Sequence, residues 1–327
     1  MADHEEGVLR RLKVAVIGVG FWGRNHARVL SGLEKAELVA VCDLDESRAR
    51  TVAEKYGAEA YTDSTELLRR EDIEAVTICT WSTVLSEEAR KALEAGKHVL
   101  VEKPMAKSSK EARELVELAE KEDLILAVGF VERFNPGLRR VLEMVGKGEV
   151  GEVLSALARR LSRWPKRPWD VGVVRDLAIH DLDILRHIFG CQPESVYARV
   201  RYSNSGIDDY AFITLSFPDG MGLVETSWLT APKVRELVVS GTEGVLKLDY
   251  LTQAINILRR GDSEPYEVGG EWREPLKIEL EHFVECVLYH KEPLVSGRDG
   301  LLALSLCEAA LESSAKGRPV STRHLAE

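Results

Sequence analysis

Lys13-Val14-Ala15-Val16-Ile17-Gly18-Val19-Gly20-Phe21-Trp22-Gly23 decides the fold. A short apolar run breaks into three glycines spaced as in a tight turn that opens a helix, and a second apolar run, Leu38 to Cys42, ends on Asp43. Gly18 permits the turn, Gly20 lets the backbone approach a pyrophosphate, and Gly23 lets the helix pack close to the strand. The unpaired N–H groups of the helix N-terminus then face the anion. Asp43 stands twenty residues after Gly23, where a carboxylate accepts hydrogen bonds from the adenosine ribose and repels a 2′-phosphate. The pattern predicts a dinucleotide site that takes NAD in preference to NADP.

Outward from this stretch, strand-like runs at 13–18, 37–43, 58–61, 73–80, 97–101 and 124–129 alternate with helical patterns. One of these helices runs from Ser108 to Glu122 behind a serine cap, with Ala112, Leu115, Leu118 and Ala119 as its apolar stripe. This alternation predicts an α/β Rossmann domain, a doubly wound parallel sheet, over residues 8–131. Beyond Phe130 the order changes. A helix at 135–147, a strand from Val153, a basic loop and a helix at 174–189 precede a strand-rich region. There Tyr210–Phe217 and Met221–Trp228 flank the turn signal Pro218-Asp219-Gly220. Strands near 234–240, 245–250 and 253–259 and helices at 276–290 and 298–316 complete an α+β domain, 132–327, with an open, mainly antiparallel sheet. Alternation of Ala211, Ile213, Leu215 and Phe217 with Phe212, Thr214 and Ser216 gives that sheet one face for helices and one only partly polar, which predicts a homo-oligomer, a dimer or tetramer.

Composition bounds the function. The chain has 327 residues, 45% hydrophobic and 30% charged, enough for two domains with cores of their own. Its 54 acidic residues exceed its 44 basic ones, so it lacks the basic balance of a nucleic-acid binder. No apolar run reaches the roughly 18 residues of a membrane span and the first residues do not resemble a secretion signal, so a cytoplasmic protein with no membrane partner is expected. The cysteines Cys42, Cys79, Cys191, Cys286 and Cys307 are scattered through apolar segments and suggest neither disulfides nor a metal site.

Two segments carry chemistry. The strand His98-Val99-Leu100-Val101 runs into Glu102-Lys103-Pro104, at the carboxyl end where open parallel sheets hold ligands, so Lys103 is expected near the nicotinamide, alongside Glu102. Pro104 confines Lys103 to extended conformations. On the helix at 174–189, Ala178, Leu182, Leu185 and Phe189 form an apolar stripe, and Asp176, His180, Asp183 and His187 fall within about 60° of one another opposite it. An i, i+4 Asp176–His180 pair orients an imidazole and stabilises its protonated form, which suits general-base work on an alcohol. A solvated helix face would look the same.

Taken together, Gly18–Gly23, Ala95-Gly96-Lys97-His98-Val99-Leu100-Val101-Glu102-Lys103-Pro104, Asp176-Leu177-Ala178-Ile179-His180-Asp181 and Gly241-Thr242-Glu243-Gly244 resemble the glucose-fructose oxidoreductase / inositol dehydrogenase / MocA (Gfo/Idh/MocA) family over nearly the whole chain. The resemblance implies hydride transfer between a sugar or cyclitol carbon and a nicotinamide cofactor, with Lys103, Asp176 and His180 catalytic. It implies cofactor contacts from Gly18, Gly20, Phe21, Trp22, Gly23, Asp43, Thr80, Glu102 and Lys103. The family's usual Thr-Pro-x-x-x-His is here Thr80-Trp81-Ser82-Thr83-Val84-Leu85, without the proline and the histidine. Glu132-Arg133-Phe134-Asn135-Pro136, Ala158-Arg159-Arg160 and Trp169-Asp170-Val171-Gly172-Val173-Val174 resemble the UDP-N-acetylglucosamine 3-dehydrogenase group, which implies substrate contacts from Arg133, Asn135, Arg163, Lys166 and Arg167. Arginines with Trp164 and Trp169 among them suit a diphosphate and a uracil ring. A solvated basic loop or a subunit contact is the competing reading. A dehydrogenase or reductase of a free sugar, inositol or small ketone, and a non-catalytic NAD-binding regulator, remain as alternatives.

Overall fold

The computed structural model describes residues 10–164, 170–203 and 206–326. The chain forms two compact units: residues 1–102, 114–129 and 276–297 make the first, and 103–113, 130–275 and 298–327 the second. It therefore does not divide at one point between 131 and 132. The helix expected at 276–290 in the second domain is assigned to the first, where Val128 N–H donates to Val295 O at 3.2 Å and Ala127 bridges to Ser296.

The first unit is a six-stranded parallel sheet, β1 (Leu12–Ile17), β2 (Ala36–Cys42), β3 (Glu59–Tyr61), β4 (Ala75–Ile78), β5 (His98–Val101) and β6 (Leu126–Val128), in the order β3-β2-β1-β4-β5-β6. The order reverses between β1 and β4, the switch point at whose carboxyl ends such sheets hold ligands. Helices α1 (Phe21–Leu30), α2 (Glu46–Tyr56), α3 (Ser64–Leu68) and α4 (Leu85–Glu94) connect the strands. The β1 and β4 strands are buried along nearly their whole length, as parallel strands covered on both faces must be. Ser108 Oγ accepts from Glu111 N–H at 3.2 Å, capping α5 (Ser109–Lys121).

The second unit is built on a nine-stranded mixed sheet. It follows α6 (Pro136–Gly146) and comprises β7 (Val153–Arg163), β8 (Ser195–Tyr202), β9 (Asp208–Phe217), β10 (Gly220–Ser227), β11 (Leu229–Gly241), β12 (Gly244–Asp249), β13 (Ile255–Arg259), β14 (Tyr266–Val268) and β15 (Val320–Ser321), in the order β14-β13-β12-β11-β7-β10-β9-β8-β15. Every pairing is antiparallel except β7 with β10. Ala211, Ile213, Leu215 and Phe217 are buried and Phe212 is exposed, as the alternation requires. A turn of π-helix, Val174–Ala178, runs into α7 (Ile179–Phe189), which packs on β7 and β10. The remaining helices are α8 (Pro275–Tyr289), assigned mostly to the first unit, and α9 (Gly297–Lys316). All five cysteines are free thiols, and among the described residues no helix is long and apolar enough to cross a membrane.

Candidate active site

In the first unit Gly18, Gly20 and Gly23 lie at and just after the turn from β1 into α1. Gly18 adopts φ +85°, open to glycine without strain, and a Cβ there would meet Thr80 N at 2.8 Å. A Cβ on Gly23 would lie 1.8 Å from Gly18 O, so only glycine lets α1 pack this close. Gly20 differs: a Cβ there would meet no protein atom within 4 Å. Its backbone therefore faces open space at the start of α1, whose first turn has no side-chain cap. These features fit a pyrophosphate at a helix N-terminus. Thr80 Oγ1 is buried with no hydrogen-bond partner among the described residues, which leaves it a polar atom to offer a ligand. Phe21 is largely exposed, in edge contact with Trp22.

Asp43 follows β2 and ties the turn together. Its carboxylate accepts from Val19 N–H at 2.9 Å, from Asp45 N–H at 3.0 Å and from Arg48 at 3.0 Å. Glu102 is buried against Gly129, with Oε1 3.2 Å from His26 Nε2.

In the second unit Lys103 and Asp176 come together. Lys103 Nζ donates to Asp176 Oδ1 at 2.7 Å and to the Asp176 carbonyl at 2.7 Å, and both side chains are about nine-tenths buried. The Lys103–Pro104 bond is cis. Local sequence explains where Asp176 sits. Gly172 has no side chain, and a Cβ there would lie 1.8 Å from Asp208 Oδ1, so Asp208 reaches past it to accept from Val174 N–H at 2.8 Å. The π turn begins at that anchored N–H and places Asp176 within reach of Lys103. Single π turns recur at functional sites because they re-aim side chains without ending the helix.

His180 is buried one turn further on, edge-on to Phe130, and its Nδ1 has no hydrogen-bond partner among the described residues. Burial, then the charges of Lys103, Arg160 and Arg235, hold its pKa well below the ordinary imidazole range, so the ring is neutral at neutral pH. This corrects the expected Asp176–His180 pairing. The carboxylate that was to stabilise an imidazolium is bonded to Lys103 instead.

The polar helix face is also not solvated. Asp181 and Asp183 are fully buried, and each acid is met by an arginine from elsewhere in the chain. Arg160 Nε donates to both Asp181 oxygens at 2.9 Å and its Nη1 to Glu132 at 2.8 Å. Burial pushes the Asp181 carboxyl up to about 6 against the pull of Arg160. Arg133 reaches Asp183 at 3.2 Å and also contacts His187.

Four expected substrate contacts need correction or fall outside view. Arg133 is buried in the Asp183 network, and Asn135 caps α6 by accepting from Gly137 N–H at 3.0 Å while donating to Tyr250 O at 3.1 Å. Both are therefore engaged in holding the fold. Lys166 and Arg167 lie outside the described residues. Arg159 and Arg160 are strand residues of β7 with carboxylate partners, not members of a loop. Arg163 is exposed at the end of β7, and Trp164 beside it makes an edge contact with Trp228. Asp183, His187 and Asp299 bring ligand atoms within 4.8 Å of one another, but Arg133 and Arg186 share the cluster and already supply its positive charge.

Arg235, one of the charges that act on His180, was not singled out in the sequence. It lies two positions before Leu237 and four before Val239, both fully buried, so period-two alternation puts its charge on the inward sheet face. Arg160 follows Ala156 and Ala158 in the same way.

Two family models match this chain. One, described as an oxidoreductase family with an NAD-binding Rossmann fold, covers residues 12–130, and the other, the GFO/IDH/MocA C-terminal domain, covers 138–247. The myo-inositol 2-dehydrogenase of Thermotoga maritima is 31% identical, with 94% of this chain and 98% of that protein covered. The UDP-N-acetylglucosamine 3-dehydrogenase of Acidithiobacillus ferrooxidans is 27% identical over 92% of this chain and 98% of its own length. The crystal structure of an oxidoreductase from Agrobacterium radiobacter in complex with NAD+, L-tartaric acid and magnesium superposes with a TM-score of 0.87 at 25% identity, covering 95% of this chain and 98% of that one. With its glycine turn and its Lys103–Asp176 centre accounted for, the chain belongs to the Gfo/Idh/MocA family and is an NAD-dependent oxidoreductase.

Proposed function

We propose that the chain oxidises a secondary hydroxyl of a sugar or cyclitol, with Lys103, Asp176 and His180 as the reacting centre. NAD, when bound, would supply the hydride acceptor for this oxidation. Gly18, Gly20 and Gly23 would hold its pyrophosphate, Asp43 its ribose, and Thr80 an adjoining polar edge. Lys103 donates a hydrogen bond to the substrate oxygen and counters the negative charge that grows there. Asp176 holds Lys103 in place by the 2.7 Å contact rather than acting on the histidine. Neutral His180 takes the hydroxyl proton; its uncharged state is what a proton acceptor needs, although its depressed pKa makes it a weak base. Lys103 and His180 exchange these roles if the amine rather than the imidazole is uncharged when substrate binds.

The observation that carries this reading is the buried Lys103–Asp176 ion pair beside a neutral, buried His180. The test is NADH formation by the purified full chain with NAD and myo-inositol, D-glucose and UDP-N-acetylglucosamine. Growth of NADH absorbance with any of them supports the reaction class; no growth across a broad sugar panel, with NAD bound, returns the regulator reading.

The nucleotide-sugar reading stands second, supported by the exposed Arg163 and Trp164 at the end of β7 and by the likeness to the UDP-N-acetylglucosamine 3-dehydrogenase. Arg163→Ala should then raise KM for UDP-N-acetylglucosamine, and an unchanged KM favours a free sugar or cyclitol. We further propose that the open sheet face, with Phe212, Met221 and Leu258 exposed, pairs with a second copy of the chain. A monomer by light scattering would refute that pairing.

A further inference from the structure

Arg160 and Arg235 are directly opposed Cα partners on β7 and β11. Residues so paired point to the same side of a sheet, and this side is the buried one, lined by Ala158 and Leu237 and covered by α7. Two like charges placed opposite each other are unfavourable unless anions meet both. Arg160 has its anions, Asp181 and Glu132. Arg235 has none in contact: Asp181, Glu132 and Asp176 act on it only through space, its Nη1 donates to Leu161 O at 2.9 Å and to Val234 O at 2.8 Å, both neutral carbonyls, and no carboxylate lies within ion-pair distance of it among the described residues. Those two bonds leave the Nε–Nη2 edge, which has the fork geometry that receives a carboxylate through two parallel hydrogen bonds. On the opposed residue, Arg160 Nη2 is buried with no hydrogen-bond partner among the described residues, while the guanidinium lies over the Tyr250 ring. Both guanidinium groups act electrostatically on the His180 ring, which stands on α7, the helix that packs on β7.

We propose that the Nε–Nη2 edge of Arg235, with Nη2 of the opposed Arg160, seats a carboxylate carried by the substrate, so that sugar acids are preferred over the corresponding neutral sugars. The inference rests on the reading of Lys103, Asp176 and His180 as the reacting centre. It differs from the nucleotide-sugar reading in placing the anion on the sugar that reacts. A neutral sugar would leave the Arg235 fork half desolvated and unmatched.

The experiment compares D-glucuronate with D-glucose, and D-galacturonate with D-galactose, using the NAD-loaded full chain. Wild type should show a higher kcat/KM for each acid than for its neutral counterpart. In Arg235→Gln the acid-to-neutral ratio should fall by about 30-fold or more, mostly through KM, as for loss of one partner of a desolvated charge pair. Arg235→Lys, which keeps the charge without the fork, should recover part of the ratio; it also serves if a thermal melt shows that Arg235→Gln does not fold. A parallel titration of the NAD-bound protein with D-glucuronate separates the two readings. Binding that Arg235→Gln abolishes, without turnover, keeps the seat and refutes the chemistry. Turnover of neutral sugars with no preference for acids, a ratio unchanged in Arg235→Gln, or a stronger preference for a sugar phosphate overturns the seat.

Discussion

Replacing Lys103 by Met, Asp176 by Leu, and both together tests the pair on which the site is built. The two side chains meet at 2.7 Å and are 11% and 7% exposed, so water screens neither charge well. Removing one partner leaves the other charge buried and unmatched, at a cost of roughly 3–5 kcal/mol for each single variant. Removing both replaces a buried ion pair with apolar groups of similar volume, which is often close to neutral. The double variant should therefore be no less stable than the worse single one, and the coupling energy should exceed about 2 kcal/mol, far outside the roughly 0.5 kcal/mol within which independent sites add. Urea unfolding followed by tryptophan fluorescence reads this directly, because Trp164 and Trp228 lie in the same unit as the pair. Additive single-variant losses would refute the pairing and remove Asp176 as the group that positions Lys103.

The glycine turn separates packing from ligand approach: Gly23→Ala should lose roughly 1–3 kcal/mol through the clash with Gly18 O, whereas Gly20→Ala should leave the melting temperature nearly unchanged yet weaken NAD binding, as thermal melts and NAD titration will report. His180 has a pKa below its unfolded value of about 6.5, so only the unfolded chain takes up its proton as pH falls below that point. Its contribution to stability is complete above about pH 6.5 and is lost on acidification, so wild type should lose melting temperature more steeply than His180→Gln from about pH 7 to about pH 5. Arg133→Met should lower stability by about 2 kcal/mol, the worth of one hydrogen bond to a charged group, because Arg186 still meets the buried Asp183, while KM stays near that of wild type; a large KM change with unaltered stability would restore Arg133 as a substrate contact.

Most of the fold was legible in local pattern. The strands of the first unit fall within one or two residues of their apolar runs, and Pro218-Asp219 does form the hairpin turn between β9 and β10. The assignment of α8 to the first unit was not legible, because that contact joins residues distant in sequence. The motif resemblance singled out Lys103, Asp176 and His180, but the 2.7 Å contact between Lys103 and Asp176 was not legible in it. A projection at constant angle per residue assumes a regular helix with one wet face, whereas Val174–Ala178 is a π turn and α7 is buried nearly all round. Its acids are tolerated there because Arg133 and Arg160 arrive from other elements, which no local window reveals. Arg235 was legible in principle, as a charge in phase with the buried residues of its own strand.

The most direct measurement of the central claim is the rate of NADH formation by His180→Ala beside wild type, on the best substrate of the sugar panel, with NAD affinity measured in the same preparations. General-base assistance is worth about 10²- to 10⁴-fold, so turnover should fall by that factor while NAD affinity stays nearly constant. Unimpaired turnover in His180→Ala would contradict the account.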